Sequence, residues 1–432
     1  MSILPHAFRN LGRHRVKTVI TVTAVAFGVL AYLYMDAFLA GSNTESRRNL
    51  LNYEMGAATI YSKSYWAKHE ELPLYEGFGD YGPIISRLNE SGYEAAPRAA
   101  FVGTLLSRKE ELPFVFTGVV PSIERRVFRY ESYIERDGGA HPLRNGSFEI
   151  LLGVRGARDL NVKPGDAVRL STVIDKRDEA GRMRHINQVV DLVVAGVLNS
   201  PDPVVNSYVG YLPLDILEGE LGILLEGKIT EIIVRKAGAR EYEPAATFES
   251  PEVITANLGE VLPDSLTVVG WKDRAADYIA ASTSDAVQSV VFLGFFFIIV
   301  LLVIANTVLM AVLERTREIG MLRALGMEDG AIVGLFLVET GLIGFFGAVV
   351  GILFFLPLNH FMVTTGIDYS QMMSASGIDY LGYRVTGAFK SIWNYGTMAG
   401  CAMAAPLLAT ITAIIPARRA IRMTITDALH FE

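Results

Sequence analysis

Glu314-Arg-Thr-Arg-Glu-Ile-Gly-Met-Leu-Arg-Ala-Leu-Gly326 decides how this chain is read, because it is a charged connector between two long apolar segments, Val287 to Leu313 and Ile332 to Leu356. A hydrocarbon core about 30 Å thick needs roughly 20 apolar helical residues to cross it, and both flanking segments are long enough. The pattern is that of a helical membrane hairpin. Its tip carries Arg315, Arg317 and Arg323, and short loops rich in Arg or Lys stay in the cytoplasm because their translocation is disfavoured. Ile319, Leu322 and Leu325 recur three apart, opposite Arg317 and Arg323, and Gly326 suits a helix C-terminus. The spacing predicts a short amphipathic cytosolic helix in residues 314–330, its apolar trio on one face.

The same thirteen residues, followed by Glu339-Thr-Gly-Leu-Ile-Gly344 in the next span, closely resemble the permeases of the FtsX-like family, which includes MacB and the lipoprotein-releasing LolC and LolE. The resemblance implies that the connector is a coupling helix docking into a partner ATP-binding cassette (ABC) ATPase, with Glu314, Arg315, Arg317, Glu318, Ile319, Leu322 and Arg323 forming the contact. ATP and magnesium would then be bound by that partner, and this chain would hold no cofactor. Further back, Leu151 to Leu170, an expected strand, short helix, Pro-Gly turn and strand, resembles the periplasmic core domain of the same family. The ending Ile425-Thr-Asp-Ala-Leu-His430 resembles the family's terminal pattern, with Thr424 where a proline is frequent.

Outward from the hairpin, two further apolar segments complete the topology. Thr18 to Ala40 follows a basic stretch containing Arg9, Arg13, Arg15 and Lys17, which suits an interfacial helix on the cytoplasmic surface. A basic start before an apolar run also describes a signal peptide, but 23 residues is long for one and no small-x-small cleavage site follows. Tyr395 to Ile415 ends at Pro416-Ala-Arg-Arg-Ala-Ile-Arg422, which keeps the C-terminus inside. The expected architecture is an α-helical membrane protein with four transmembrane helices and a large mixed α/β extracytoplasmic domain between helices 1 and 2. In chain order this gives an interfacial helix at 1–17, spans at 18–40, 287–313, 331–357 and 395–415, and the α/β domain at 41–286. The coupling helix occupies 314–330, a long outer loop 358–394 and a cytoplasmic tail 416–432.

The 432 residues are 51% apolar, with net charge −7. The acidity is local. Gly41 to Asp285 holds 36 Asp and Glu against 27 Lys and Arg, whereas the basic clusters border the apolar segments. Net negative charge argues against nucleic acid as a partner. With Cys401 the sole cysteine, no intrachain disulfide forms, so the polar block must be held by its own core.

Within that block, residues 57–61, 101–106, 115–120, 167–173, 189–197 and 229–234 show strand-like alternation or β-branched enrichment. Ser122 to Arg136 is expected to start as a helix after Pro121. The charged run Asp175 to Arg184 reads as a hairpin tip, either solvated or a partner loop, and Asn199-Ser-Pro-Asp-Pro203 as a second exposed loop or turn. His69-Glu70-Glu71 reads as surface. Trp271 to Gln288 contains no glycine or proline, so a helix could run unbroken from the domain into the second span as a stalk.

Two ionisable residues fall in apolar segments. Asp36 is near the outer end of the first span, where it is either solvated or part of a pathway; Glu339 lies about two turns into the third, where it serves either function or helix packing. Gly334, Gly341, Gly344 and Gly351 share a stripe with Ala348, and Gly347 to Gly351 is a small-xxx-small pair; such a face either lets helices approach closely or lines a substrate path. The long loop after Pro357 carries Tyr369, Met372, Met373 and Tyr380.

No Gly-x-x-x-x-Gly-Lys-Ser/Thr loop, Gly-x-Ser-x-Gly elbow or His-Glu-x-x-His helix occurs, and seven scattered histidines have no metal-ligand spacing. No catalytic or metal-ligating residue is therefore expected. By the resemblance, the chain is a non-catalytic permease subunit in a bacterial inner membrane, paired with a like or unlike permease and contacting membrane lipids. It would extract lipoproteins for a periplasmic carrier by mechanotransmission. Export of a periplasmic peptide or drug, as for MacB, and regulation of a cell-wall hydrolase, as for FtsX, are the alternatives.

Overall fold

The computed structural model describes residues 12, 15–128, 130–135, 139–177, 183–218, 222–224, 227–238, 250–368 and 388–421. Two compact units emerge. A helical unit takes the chain up to Ser42, Ser282–Asp368 and the chain from Ala388; an α/β unit takes Asn43–Ala281.

The helical unit is built from α1 (Arg15–Asn49), α2 (Ala276–Glu314), α3 (Thr316–Ala324), α4 (Asp329–Thr364) and α5 (Tyr395–Ala420). Buried residues recur every four positions: Val25, Val29, Leu33 and Ala37 on α1, Ile304, Val308 and Val312 on α2, and Ala405, Ala409, Ala413 and Ala417 on α5. Four-residue spacing keeps a helical row on one side, so these rows make one apolar core. Among the described residues three helices are long and apolar enough to cross a membrane, Arg15–Met55, Asp329–Thr364 and Tyr395–Arg419. The further span expected from the sequence falls in α2, where Leu301–Glu314 is a shorter apolar stretch.

All these helices outrun the apolar segments. α1 continues nine residues past Ala40 and then widens into a π-helix, Leu50–Met55. Its polar end is held by contacts that hydropathy does not register: Arg48 pairs with Glu45, and Ser42, Ser46, Asn49 and Leu50 are buried. The stalk expected from Trp271 onward is interrupted. Trp271–Arg274 is a separate turn, Ala275 leaves helical geometry (φ −96°, ψ 20°), and α2 starts at Ala276.

The α/β unit holds one nine-stranded sheet made of β1 (Ala58–Ser62), β2 (Tyr93–Leu106), β3 (Glu111–Val119), β4 (Glu149–Gly153), β5 (Ala167–Arg177), β6 (Met183–Leu198), β7 (Val209–Pro213), β8 (Glu231–Lys236) and β9 (Leu266–Gly270). Its order is β3-β7-β4-β6-β5-β2-β8-β1-β9, and β2 also pairs with β3, so six strands close on themselves while β8, β1 and β9 extend from β2. Closure removes free edges from those six strands. The β3–β7 and β4–β6 pairs are parallel, the rest antiparallel. Phe101, Leu105, Phe116, Ile150, Leu152, Leu170, Leu192, Leu212 and Ile232 fill its interior, each contributing about 1.5–3 kcal/mol on burial.

The branch in β2 falls at Arg98, which is in register with both Glu231 of β8 and Val119 of β3. Thr230 bridges the split: its N–H donates to the Arg98 carbonyl (3.0 Å) and its hydroxyl accepts from the Ala100 N–H (3.0 Å). The Arg98 side chain is buried and paired with Glu124. Burial disfavours its charge, but Glu124 outweighs burial and holds the guanidinium above its usual range.

Two loop expectations change. Asn199 to Pro203 is not an exposed loop: Ser200 and Asp202 are buried, and Asp202 Oδ1 accepts from the Val204 N–H (2.9 Å) to cap a helix at Pro203–Tyr208. An Asp-Pro pair is a helix-start signature as much as a turn signature. Strands β7 and β9 were not expected; both are five residues long and carry the Gly210, Pro213 and Gly270 that normally punctuate strands. The centre of the 175–184 hairpin, residues 178–182, lies outside the described residues, as do Tyr369, Met372, Met373, Tyr380 and the tail from 422. On either side of residues 369–387, β10 (Ile367–Asp368) pairs with β11 (Ala388–Phe389).

Candidate functional site

The connector forms a helix whose boundaries have visible causes. α2 stops at Glu314; Arg315 departs from helical torsions (φ −101°, ψ 10°), and α3 begins at Thr316. The Thr316 hydroxyl bonds back to the carbonyls of Val312 (3.1 Å) and Leu313 (2.8 Å), so the two helices stay joined across the break. At the far end Gly326 takes φ 89°, with Gly326 N–H donating to the Arg323 carbonyl (3.0 Å) and Met327 N–H to the Leu322 carbonyl (3.0 Å). This is the Schellman ending that only glycine adopts without strain.

The face of α3 differs from the expected one. Ile319 is buried in the same apolar cluster as Val312, Ile332 and Phe336, whereas Leu322 and Leu325 are exposed, Leu325 at 84%. Residues three apart drift by about 60° per step on a helix with 3.6 residues per turn, so the third member of the trio has left the first one's face. The outward surface of α3 consequently combines Arg317, Met321, Leu322 and Leu325. Glu318 is half-buried.

Other connector charges are engaged locally. Glu314 pairs with Lys17 at the start of α1, and Arg323 with Asp329 at the start of α4 (2.9 Å). Arg315 turns inward: its two terminal nitrogens donate to the two oxygens of Glu339, at 3.1 and 3.2 Å, and both side chains are about 10% exposed. The carboxylate inside α4 thus has a charged partner 24 residues earlier in the chain, which spacing alone did not reveal.

Asp36 also acquires a partner. Its Oδ2 accepts from Asn394 Nδ2 (3.0 Å), while Asn394 Oδ1 accepts from the Thr397 N–H (3.2 Å) and caps α5. Next to it, buried Asn359 donates to the Ile392 carbonyl (3.3 Å) and accepts from Ser391 (2.6 Å). These amides fasten the segment that returns the chain to α5.

The glycines of α4 serve two neighbours. A Cβ on Gly344 would meet Ala409 and Pro406 of α5 at 2.8 Å, and one on Gly341 would meet Thr410 Oγ1 at 2.8 Å. On Gly347 it would meet Val25 of α1 at 2.5 Å, and on Gly351 the Ala26 carbonyl at 2.7 Å. α4 is therefore packed closely against both. Among the described residues no group of three His, Cys, Asp or Glu is placed to hold a metal ion.

An apolar helical unit with a short connector helix between α2 and α4, and a separate mixed α/β unit inserted between α1 and α2, defines a permease-type membrane protein. Residues 290–425 match the family described as FtsX-like permease C-terminal. The chain is 21% identical to the lipoprotein-releasing system transmembrane protein LolC of Neisseria meningitidis, over 96% of this chain and 94% of that one. It is 22% identical to an uncharacterized ABC transporter permease, MJ1507, of Methanocaldococcus jannaschii, over 100% and 98% respectively. To the macrolide export ATP-binding/permease protein MacB of Pectobacterium atrosepticum it is 31% identical, over only 30% of this chain and 17% of that one. Residues 290–425 are thus an FtsX-like permease domain, and the chain as a whole is similar to ABC transporter permeases at low identity.

Proposed function

We propose that this chain is the membrane subunit of a lipoprotein-releasing ABC system in a bacterial inner membrane, with its α/β unit in the periplasm. A separate cassette ATPase binds ATP and magnesium and docks on α3. The observation that carries the reading is the outward face of α3, where Arg317 stands among Met321, Leu322 and Leu325. Apolar side chains beside a cation, exposed on a helix between two membrane segments, suit a protein groove better than water. Nucleotide-driven closure of two ATPases would shift α3, and α1 and α2 would relay the motion to the α/β unit. A second permease completes the pair, and a periplasmic carrier receives the cargo. The end-to-end similarity to LolC favours lipoprotein over the peptide or drug of a MacB-like exporter, whose similarity is confined to 30% of this chain.

The test begins with purification of the full chain and identification of what accompanies it. A cassette ATPase is expected. Arg317→Glu and Glu318→Arg should each lower stimulated ATP hydrolysis about tenfold while leaving the chain inserted and folded, a change within the usual range of coupling between sites. Unchanged hydrolysis in the inserted double variant removes the docking assignment. Depletion then addresses the cargo: lipoproteins retained at the inner membrane support release, whereas altered wall cleavage with normal lipoprotein sorting supports an FtsX-like transducer instead.

A further inference from the structure

We propose that Arg315 and Glu339 are positioning residues that set the direction of α3 against α4; the proposal deepens the coupling function given above and rests on it for its functional meaning. Arg315 is the single residue at which the helical path breaks between α2 and α3. Backbone bonds continue on both sides of it, from the Arg315 N–H to the Ala311 and Val312 carbonyls (3.3 and 3.2 Å) and from the Ile319 N–H to the Arg315 carbonyl (2.9 Å). The angle between the two helices is therefore governed by the torsions of one residue, and whatever holds that residue's side chain holds the angle.

The side chain is held by a planar fork. Two parallel N–H···O bonds to one carboxylate allow a single relative orientation, which a lysine point charge would not impose. The anchor at the other end is firm. Glu339 precedes Gly341 by two residues, in the helix whose glycines bring it into close contact with α5 and α1. The two charges also depend on each other, since their side chains are only 10% and 12% exposed and an unpaired charge at that depth is costly. A further ionic tie of α3, Arg323 to Asp329, lies at the turn into α4. The pair at Arg315 thus fixes the near end of the helix and aims Arg317 and Met321 outward.

The experiment uses the full chain in lipid nanodiscs, with Cys401→Ser as background and spin labels at Met321→Cys on α3 and Val349→Cys on α4. The apolar pair Arg315→Met with Glu339→Leu is expected to insert and melt as the parent does. Its spin–spin distance distribution should broaden, and in the unlabelled chain, with Met321 intact on the docking face, stimulated hydrolysis by the bound ATPase should fall about tenfold. Arg315→Lys should broaden the distances less, and the exchange Arg315→Glu with Glu339→Arg should restore a narrow distribution. A narrow distribution in the apolar pair overturns the proposal. So does broadening in which the charge exchange recovers nothing. If no ATPase accompanies the parent chain, the functional reading fails, while the distance measurement still decides whether the pair aims α3.

Discussion

Each unit of this protein contains a buried arginine–glutamate pair, and the two are wired differently. In the α/β unit, Arg98 directs Nε (3.0 Å) and Nη2 to one oxygen of Glu124. It gives Nη1 to the Glu54 carbonyl (3.2 Å) and lies 4.2 Å over the Phe128 ring. Its charge is distributed over the π-helical segment, the Pro121–Val127 helix and the branch of the sheet, and Glu124 Oε2 is left without a hydrogen-bond partner. In the helical unit Arg315 gives both terminal nitrogens to both oxygens of Glu339. A charge shared among several elements holds a junction together, whereas one committed to a single partner sets a direction. That contrast suits a junction of several elements in one case and a single bend between two helices in the other.

Breaking the distributed pair should have the largest effect on stability. Arg98→Met leaves a buried carboxylate unpaired, which costs about 3–5 kcal/mol. Adding Glu124→Leu should recover only part of the loss, because the Glu54 carbonyl still lacks its donor. Denaturant unfolding of the full chain in detergent reads both values, and complete recovery in the double variant would reduce the web to an isolated pair. Next come the glycines that seat α4. Gly351→Leu drives a side chain into the Ala26 carbonyl and should cost about 1–3 kcal/mol. Gly341→Ala meets the Thr410 hydroxyl alone, which gives way by loosening its bond to the Pro406 carbonyl (2.8 Å), and should cost about 1 kcal/mol. Equal losses at the two positions would mean that α4 is not seated more tightly on α1 at Gly351 than on α5 at Gly341.

The smallest effect should come from the solvent-facing pair on the β5–β6 hairpin. There Arg169 Nε donates to Asp191 (2.7 Å), and that bond holds the Asp191 carboxyl below its usual range. A carboxyl depressed in the folded state contributes stability above its unfolded pKa, lost as pH falls through its folded value. Both side chains are more than half exposed, so water and salt screen the contribution. Asp191→Asn should leave the melting temperature at pH 7 and physiological salt within about 1 °C. A larger drop would show that exposed pairs here resemble the buried ones.

Much of the architecture was legible from hydropathy and charge, because lipid and water impose one-dimensional constraints. Apolar runs long enough to span, arginines at their ends and an acidic block between the first two runs can all be read without contacts. The connector helix and its glycine stop were legible for the same local reasons, since an αL ending needs glycine at that position. The short strands β7 and β9 were not, because five residues carrying glycine or proline become strands only where neighbours supply the hydrogen bonds.

By itself the sequence indicated which segments are apolar enough to meet lipid and that the connector helix stops at Gly326, though not that its path breaks at Arg315. Tertiary structure alone decided which face of α3 looks outward, that Arg315 belongs to Glu339, that Asp36 holds the cap of α5, and that the α4 glycines divide between α5 and α1. The reason is physical. Spans and stops follow from the solvent and torsional preferences of consecutive residues, whereas the partner of a buried charge depends on which helices pack together, and that depends on residues far apart in the chain.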